Sequence, residues 1–237
     1  MEVLDRANEI PWYHSIELAP GHTTKGMFDL EPFKHRYGLP DRLDGKRCLD
    51  VGTWDGYWAF EMERRGAQVV ALDVDDERAL DWPPRRRPKV FNETPRGTGF
   101  GLAREQLGSS VERVVCSIYD ATPERLGTFD LVFCGSVLIH LRDQLLALER
   151  IAGLCSPGGT FISAEEYDRP TSLLPIPVSR YRADRDADVV FWLPSIRAWK
   201  RMLWTAGFDR VQQHGRFKLV ARAGWKVPHV VFHAHKT

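Results

Sequence analysis

Two acids and two glycines are spaced in this sequence as a nucleotide-like ligand would require. Asp50 lies in the apolar run Arg47-Cys48-Leu49-Asp50-Val51, Gly52 and Gly56 follow in one short turn, and Asp73 closes the next apolar run, Val69-Val70-Ala71-Leu72-Asp73. Cys48, Leu49 and Val51 suit a strand buried on both faces. Gly52 and Gly56 let the backbone turn sharply and approach a ligand closely. A helix carrying Phe60 and Met62 would then offer its unpaired N–H groups to the turn. Asp73, at a strand end, offers a carboxylate that can only accept hydrogen bonds. A dinucleotide fingerprint would read G-x-G-x-x-G. Here Gly52-Thr53-Trp54-Asp55-Gly56 has Trp54 where a middle glycine would stand, so a pyrophosphate cradle is not expected. The competing reading is a tight turn at a buried strand–helix corner.

The elements that must hold these residues alternate between strand-like and helix-like segments, the pattern of a parallel α/β sheet with covering helices. Strands are expected near 47–51, 68–73, 112–117, 129–134 and 159–165, and helices near 57–65, 143–154 and 195–206. A further helix over Leu102–Leu107 returns to the sheet, and strand-like stretches at 217–223 and 228–235 complete its edge. Connections should be right-handed crossovers. Pro157-Gly158-Gly159 is expected to break the chain before the fifth strand. Prolines at 11, 20, 32 and 40 argue against one long helix in residues 1–45, which read instead as short helices and loops over the ligand end of the sheet.

Ligands in open α/β sheets bind outside the carboxyl ends of the strands, which singles out further residues. The third strand ends in Ser117, Ile118 and Tyr119, with Asp120 either a ligand contact or merely the cap of the turn. The fourth runs into Gly135, Ser136 and His140. His140 is either a general base or a hydrogen-bonding brace for its loop. The fifth ends in Glu165, Glu166 and Tyr167, and because the two glutamates alternate across the strand, at most one faces the crevice. Residues 168–194 read as a long insertion too irregular for core and are expected as an acceptor-side wall, with Arg180, Tyr181 and Arg182 either on an anionic substrate or at the surface. Arg85-Arg86-Arg87-Pro88-Lys89 reads as a solvated loop, with a phosphate or RNA contact as the other possibility. His229, His233 and His235 alternate along one strand and are expected on a solvated face, without zinc.

Composition bounds the rest. At 237 residues, 43% hydrophobic and net charge +1, the chain is large enough for one domain with a sizeable core and lacks the overall basic excess of a protein living on nucleic acid. Its four cysteines are scattered, three of them in apolar runs. They read as small buried hydrophobes in a reducing, cytoplasmic compartment. No apolar run reaches the roughly 20 residues that span a bilayer.

Taken together these motifs resemble the class I S-adenosylmethionine-dependent methyltransferases, in which D-x-G-x-x-x-G precedes an acid at the next strand end. Trp12-Tyr13-His14-Ser15-Ile16-Glu17-Leu18, Leu49 through Trp58, and Val137-Leu138-Ile139-His140-Leu141-Arg142-Asp143 are similar to the wobble-uridine tRNA methyltransferase-like proteins, including the carboxymethylating branch. The resemblance covers roughly residues 12–210. It implies a Rossmann-like fold with a mostly parallel seven-stranded sheet and helices on both faces, an N-terminal lid in 1–45 and a methyltransferase domain in 46–237. It implies S-adenosylmethionine as cofactor, with contacts at Trp12, Asp50, Gly52, Gly56, Asp73, Ser117, Ile118, Tyr119 and Gly135. Lys25-Gly26-Met27-Phe28 resembles a K-G-x-F segment whose lysine, in the carboxymethylating enzymes, meets the extra carboxylate of carboxy-S-adenosylmethionine. Those enzymes carry Tyr-His-Arg where this chain has Ile139-His140-Leu141, which favours ordinary methyl transfer.

The expected activity is methyl transfer to an oxygen, nitrogen or carbon of a small polar metabolite. His140 or Glu165 would assist deprotonation, and Tyr13, His14, Glu166, Tyr167, Arg180 and Tyr181 would meet the acceptor. The alternatives are a tRNA wobble-uridine (carboxy)methyltransferase and a non-catalytic cofactor-binding module on the same fold.

Overall fold

The computed structural model describes residues 2–185 and 189–237. Seven strands form one sheet: β1 (Arg47–Val51), β2 (Gln68–Asp73), β3 (Glu112–Val115), β4 (Phe129–Gly135), β5 (Cys155–Glu166), β6 (Arg210–Val220) and β7 (Lys226–His235). Their order is β6-β7-β5-β4-β1-β2-β3. The five strands from β1 to β5 pair in parallel, and β7 runs antiparallel to both β5 and β6. Connections from β1 lead one way to β2 and β3, and those to β4 and β5 lead the other way. The switch point between β1 and β4 therefore opens a crevice at their carboxyl ends.

Alternation along each strand explains why helices cover both faces. Cys48, Val69 and Leu131 join one core cluster, packed with Trp58, Phe60 and Met62 of α1 (Tyr57–Arg64) and with Phe100 and Leu102 of α2 (Thr98–Leu107). Leu49, Val70 and Val132 join the other, packed with Leu148 and Ile151 of α3 (Gln144–Leu154) and with Trp199 and Leu203 of α4 (Ile196–Thr205). Caps fix the starts of the last two helices, where Asp143 accepts from the Leu146 amide at 2.9 Å and Ser195 from that of Ala198 at 3.2 Å.

Three expectations need correction. Pro157-Gly158-Gly159 does not precede β5 but lies inside it as a bulge, because Phe129 pairs with Cys155 and Leu131 already with Thr160. Residues 168–194 are not wholly outside the core. Ser179–Tyr181 pairs with Trp192–Pro194 as a small ribbon, and Ala183, Phe191 and Leu193 are buried; residues 186–188 of that stretch lie outside the described residues. The histidines of β7 are not on a solvated face, since β7 is second from the edge and His229 is 1% exposed.

The N-terminal residues fold as a short helix (Glu2–Glu9), a two-stranded turn (Glu17–Ala19 with His22–Thr23) and a single 3-10 turn (Lys34–Tyr37). Residues 12–15 run beside 26–28, with Met27 N donating to Trp12 O at 3.1 Å, Phe28 N to Tyr13 O at 2.8 Å and Ser15 N to Phe28 O at 2.8 Å. Gly26 makes this approach possible, because a Cβ there would lie 2.1 Å from the His14 carbonyl carbon. Arg222, in the β6–β7 turn, ties the pair down by donating to Gly26 O and Ser15 Oγ, each at 3.0 Å.

Candidate active site

The carboxyl ends of β1, β2 and β4 open into a cavity of about 830 Å³, roofed by residues 9–14 and 27–28. Its floor begins at the turn after β1. Gly52 holds φ 73°, and a Cβ on it would stand 2.4 Å from Val137 Cγ2, so only glycine lets the turn close against the loop after β4. Gly52→Ala should therefore destabilise the fold by about 2 kcal/mol or more, from left-handed strain plus overpacking, measurable by urea denaturation. Trp54 holds φ 49° although it is not glycine. Its amide donates to Asp73 Oδ2 at 2.7 Å, its ring stacks on Tyr13 at 4.9 Å, and the Arg96 guanidinium lies 3.8 Å from its centroid. The tryptophan thus links the turn, the roof and the end of β2.

Asp73, 8% exposed, also accepts from the Val74 amide at 2.8 Å and has Arg96 Nε 3.9 Å away. Burial pushes its carboxyl up, opposed by Arg96 and by the two amides. Asp50, 2% exposed, is pushed up by burial to about 7, and its Oδ2 has no hydrogen-bond partner. Beyond β3, Ser117 accepts from the Tyr119 amide at 3.3 Å and Ile118 is buried in the same wall. Tyr119 Oη donates to Asp81 at 2.6 Å, and Asp81 accepts from the Arg142 amide at 2.8 Å, which clasps the loop after β2 to the loop after β4.

The roof is held from below. Asp55, 1% exposed, accepts from the amides of Tyr13 and His14 at 2.9 and 2.7 Å, and His14 Nδ1 donates to it at 2.5 Å. At the far wall His140 Nδ1 lies 2.5 Å from Val189 O, and because a carbonyl can only accept, Nδ1 is the donor.

Of the residues singled out from sequence, Trp12, Tyr13 and His14 line the roof, Asp50, Gly52 and Asp73 the floor, Ser117, Ile118 and Tyr119 one wall, and Gly135, His140 and Glu166 the other. Six do not line the cavity. Gly56 starts α1 behind the turn, packed near Phe60 and Phe100. Lys25 is exposed beside the roof. Tyr167 is buried in the second core, with its amide on Pro228 O at 3.2 Å. Arg180 pairs with Asp168 at 2.5 Å, and the exposed Tyr181 packs edge-on to Trp192. Glu165 sits beneath the loop after β4, accepting from the amides of Val137 and Leu138 at 3.2 Å each.

Glu165 is a brace instead of a crevice carboxylate, and burial pushes it up to about 8 from an ordinary 4.5. The folded protein keeps a proton there that the unfolded chain has released, so this group's contribution to stability falls as pH rises from about 5 to 8. Glu165→Gln, neutral throughout, should melt progressively above wild type across that window, by roughly 5 °C at its upper end, in melts followed by circular dichroism.

Sequence reasoning missed Asp55, Asp81, Arg96 and His229. Asp55 was legible only as a turn residue, and its partner His14 lies 41 positions away. His229 carries an alternation signal, but reading it as buried requires knowing that another strand covers the edge.

The chain matches the family described as "Methyltransferase domain" over residues 29–213. It belongs to that family. The match spans most of the chain and takes in β1 through the start of β6, so the cavity is that of a class I S-adenosylmethionine-dependent methyltransferase domain. The chain is 31% identical over 137 residues to a ubiquinone biosynthesis O-methyltransferase of Vibrio parahaemolyticus, covering 57% of this chain and 51% of that protein. It is 26% identical over 175 residues to a tRNA U34 carboxymethyltransferase of Desulforapulum autotrophicum, covering 73% and 48%. It thus spans about half the length of these relatives. The fold is shared with the N-terminal domain of EvdMO1 with SAH bound (TM-score 0.68, 18% identity, 100% and 96% covered). It is also shared with Burkholderia thailandensis 1,6-didemethyltoxoflavin-N1-methyltransferase (TM-score 0.57, 17% identity, 88% and 80% covered).

The residues of this methyltransferase domain suit its cofactor on their own evidence. A buried carboxylate oxygen without a partner at Asp50, an acid at the end of β2 and a turn that only glycine closes are what a cationic, ribose-bearing ligand needs. Among the described residues no helix is long and apolar enough to cross a membrane, and all four cysteines are buried and free.

Proposed function

We propose that the chain transfers a methyl group from S-adenosylmethionine to an oxygen, nitrogen or carbon of a small acceptor that enters the same cavity. The observation that carries this reading is one continuous space of about 830 Å³ reaching from Ser117 and Tyr119 beyond β3 to His229 on β7. That is toward the upper end of the roughly 300–1,000 Å³ typical of small-molecule sites, room for a cofactor and a small partner together. In this reading Asp73 holds the ribose, Ile118 and Tyr119 flank the base, and Asp50 with the Gly52 turn takes the amino-acid part. The half beyond β4 receives the acceptor, and Trp12, Tyr13 and His14 close over both as a lid.

Bound S-adenosylmethionine supplies a methyl group already activated on a sulfonium, so the protein's task is chiefly alignment and the exclusion of water. Trp12, Tyr13 and Trp54 supply apolar cover. His140, held on Val189 O through Nδ1, lines the half assigned to the acceptor and is the candidate general base of this reading. Glu165 is set aside as a base because it braces the loop below.

The test supplies S-adenosylmethionine labelled in the methyl group together with a small-molecule extract and, separately, total tRNA. Label appearing in the small-molecule fraction is the expected result. Label in tRNA, weakened by neutralising Arg85, Arg86 and Arg87, would replace this reading with the tRNA one, toward which the Desulforapulum relative points.

A further inference from the structure

Past the residues assigned to the cofactor, the cavity is walled by Tyr13, Phe28, Phe133 and Trp225, and a hydrogen-bonded pair, Ser136 with His229, stands among these rings, with Glu166 on the strand beside it. Ser136 Oγ lies 2.8 Å from His229 Nε2. His229 Nδ1 faces Val227 O at 3.2 Å, and because a carbonyl can only accept, the proton sits on Nδ1 and Nε2 takes the serine's hydrogen. The imidazole is fixed further by stacking on Phe217, with ring centroids 5.6 Å apart. Burial lowers His229 to about 4, so it is neutral near pH 7 and sets no positive charge beside a sulfonium.

Ser136 and Trp54 are the two non-glycine residues with positive φ among those described, and both line the cavity. Ser136 holds φ 57° as the chain leaves β4, with its amide on Ala164 O at 2.9 Å. A side chain kept in a conformation suited to glycine marks a place where its chemistry outweighs strain of about 1–3 kcal/mol. A serine hydroxyl has one hydrogen and two lone pairs. With the hydrogen committed to His229, what Ser136 offers the cavity is an acceptor.

We propose that Ser136, oriented by His229, receives the O–H or N–H of the acceptor's nucleophilic atom, and that this acceptor is a flat, largely apolar molecule bearing a hydroxyl or amine. Ser136 touches the acceptor and His229 is the positioning residue. The proposal rests on the methyltransferase reading above and narrows it from any oxygen, nitrogen or carbon to proton-bearing oxygen and nitrogen. A site built around a fixed acceptor rejects analogues without the matching donor, because the buried lone pair is then left unpaired.

The test uses phenol and its methyl ether anisole as probes, titrated at millimolar concentration into the SAH-saturated protein. The imidazole nitrogens of His229 are followed by NMR in 15N-histidine-labelled material. Phenol is expected to bind about fivefold or more tighter than anisole, the worth of one hydrogen bond, and to move the His229 Nε2 resonance. Ser136→Gly removes the hydroxyl while relaxing the positive φ, so this variant should fold and melt no lower than wild type, yet bind the two probes alike. A purely structural role for the pair would leave the discrimination intact in Ser136→Gly. Equal affinities in wild type, a silent His229 or discrimination retained in the variant would each overturn the proposal. Failure of SAH itself to bind would instead overturn the methyltransferase reading beneath it.

Discussion

Asp73→Ala is expected to weaken SAH binding about 100-fold by calorimetry, the loss of one or two hydrogen bonds to a charged acceptor. The aspartate is almost fully buried, accepts from the Trp54 and Val74 amides, and has Arg96 as its cation. Those contacts orient its carboxylate at the end of β2, and spare lone pairs remain for ribose hydroxyls. Alanine removes the proposed ribose partner and also frees the Trp54 amide that keeps the tryptophan in its left-handed conformation. Asp73→Asn separates the two effects, because its amide oxygen can keep the Trp54 contact while the charge is gone, and an intermediate loss is expected. Affinity in Asp73→Ala within threefold of wild type would remove the ribose assignment.

Asp55→Ala should be the most destabilising single change in the roof. One buried carboxylate there serves three donors, the Tyr13 and His14 amides and the His14 ring. Breaking a buried pair from one side leaves the other side's groups desolvated and unpaired, at about 3–5 kcal/mol. For a chain of this size that is roughly 10 °C in melting temperature. The loss should also be local. Hydrogen exchange should speed up across residues 12–15 and 26–28, which are paired with each other, while β1 and β4 stay protected. A melting temperature unchanged by the substitution would mean that the core contacts of Trp12 and Phe28 hold the roof without Asp55.

The parallel half of the sheet was legible because both faces of β1, β2 and β4 are buried, so their strands stand out as apolar runs ending in Val51, Asp73 and Gly135. The floor of the cavity followed directly, since the carboxyl ends of such strands are where ligands bind. Other features depend on what packs against a residue, which local pattern does not carry. Glu165 and Glu166 were correctly separated by strand alternation, but which of them faced the cavity depended on the loop after β4 folding over Glu165. Lys25 belongs to a motif whose Gly26 and Phe28 have a structural reason, the close pairing with His14 and Tyr13, and the lysine itself remains in solvent. Arg180 is taken up by Asp168, a partner twelve positions away that local pattern does not reveal. Trp54 interrupts a glycine motif in the sequence, yet in the fold it joins the turn to the roof and to Asp73.

In the proposed arrangement S-adenosylmethionine lies across the carboxyl ends of β1, β2 and β3, with the acceptor beyond β4. A crystal structure of the protein soaked with SAH tests it most directly. The ribose hydroxyls are expected on Asp73, the base beside Ile118 and Tyr119, and the half of the cavity around Ser136 and His229 left open. Density for the ligand in that far half, or a cavity with no ligand in it at saturating SAH, would contradict it.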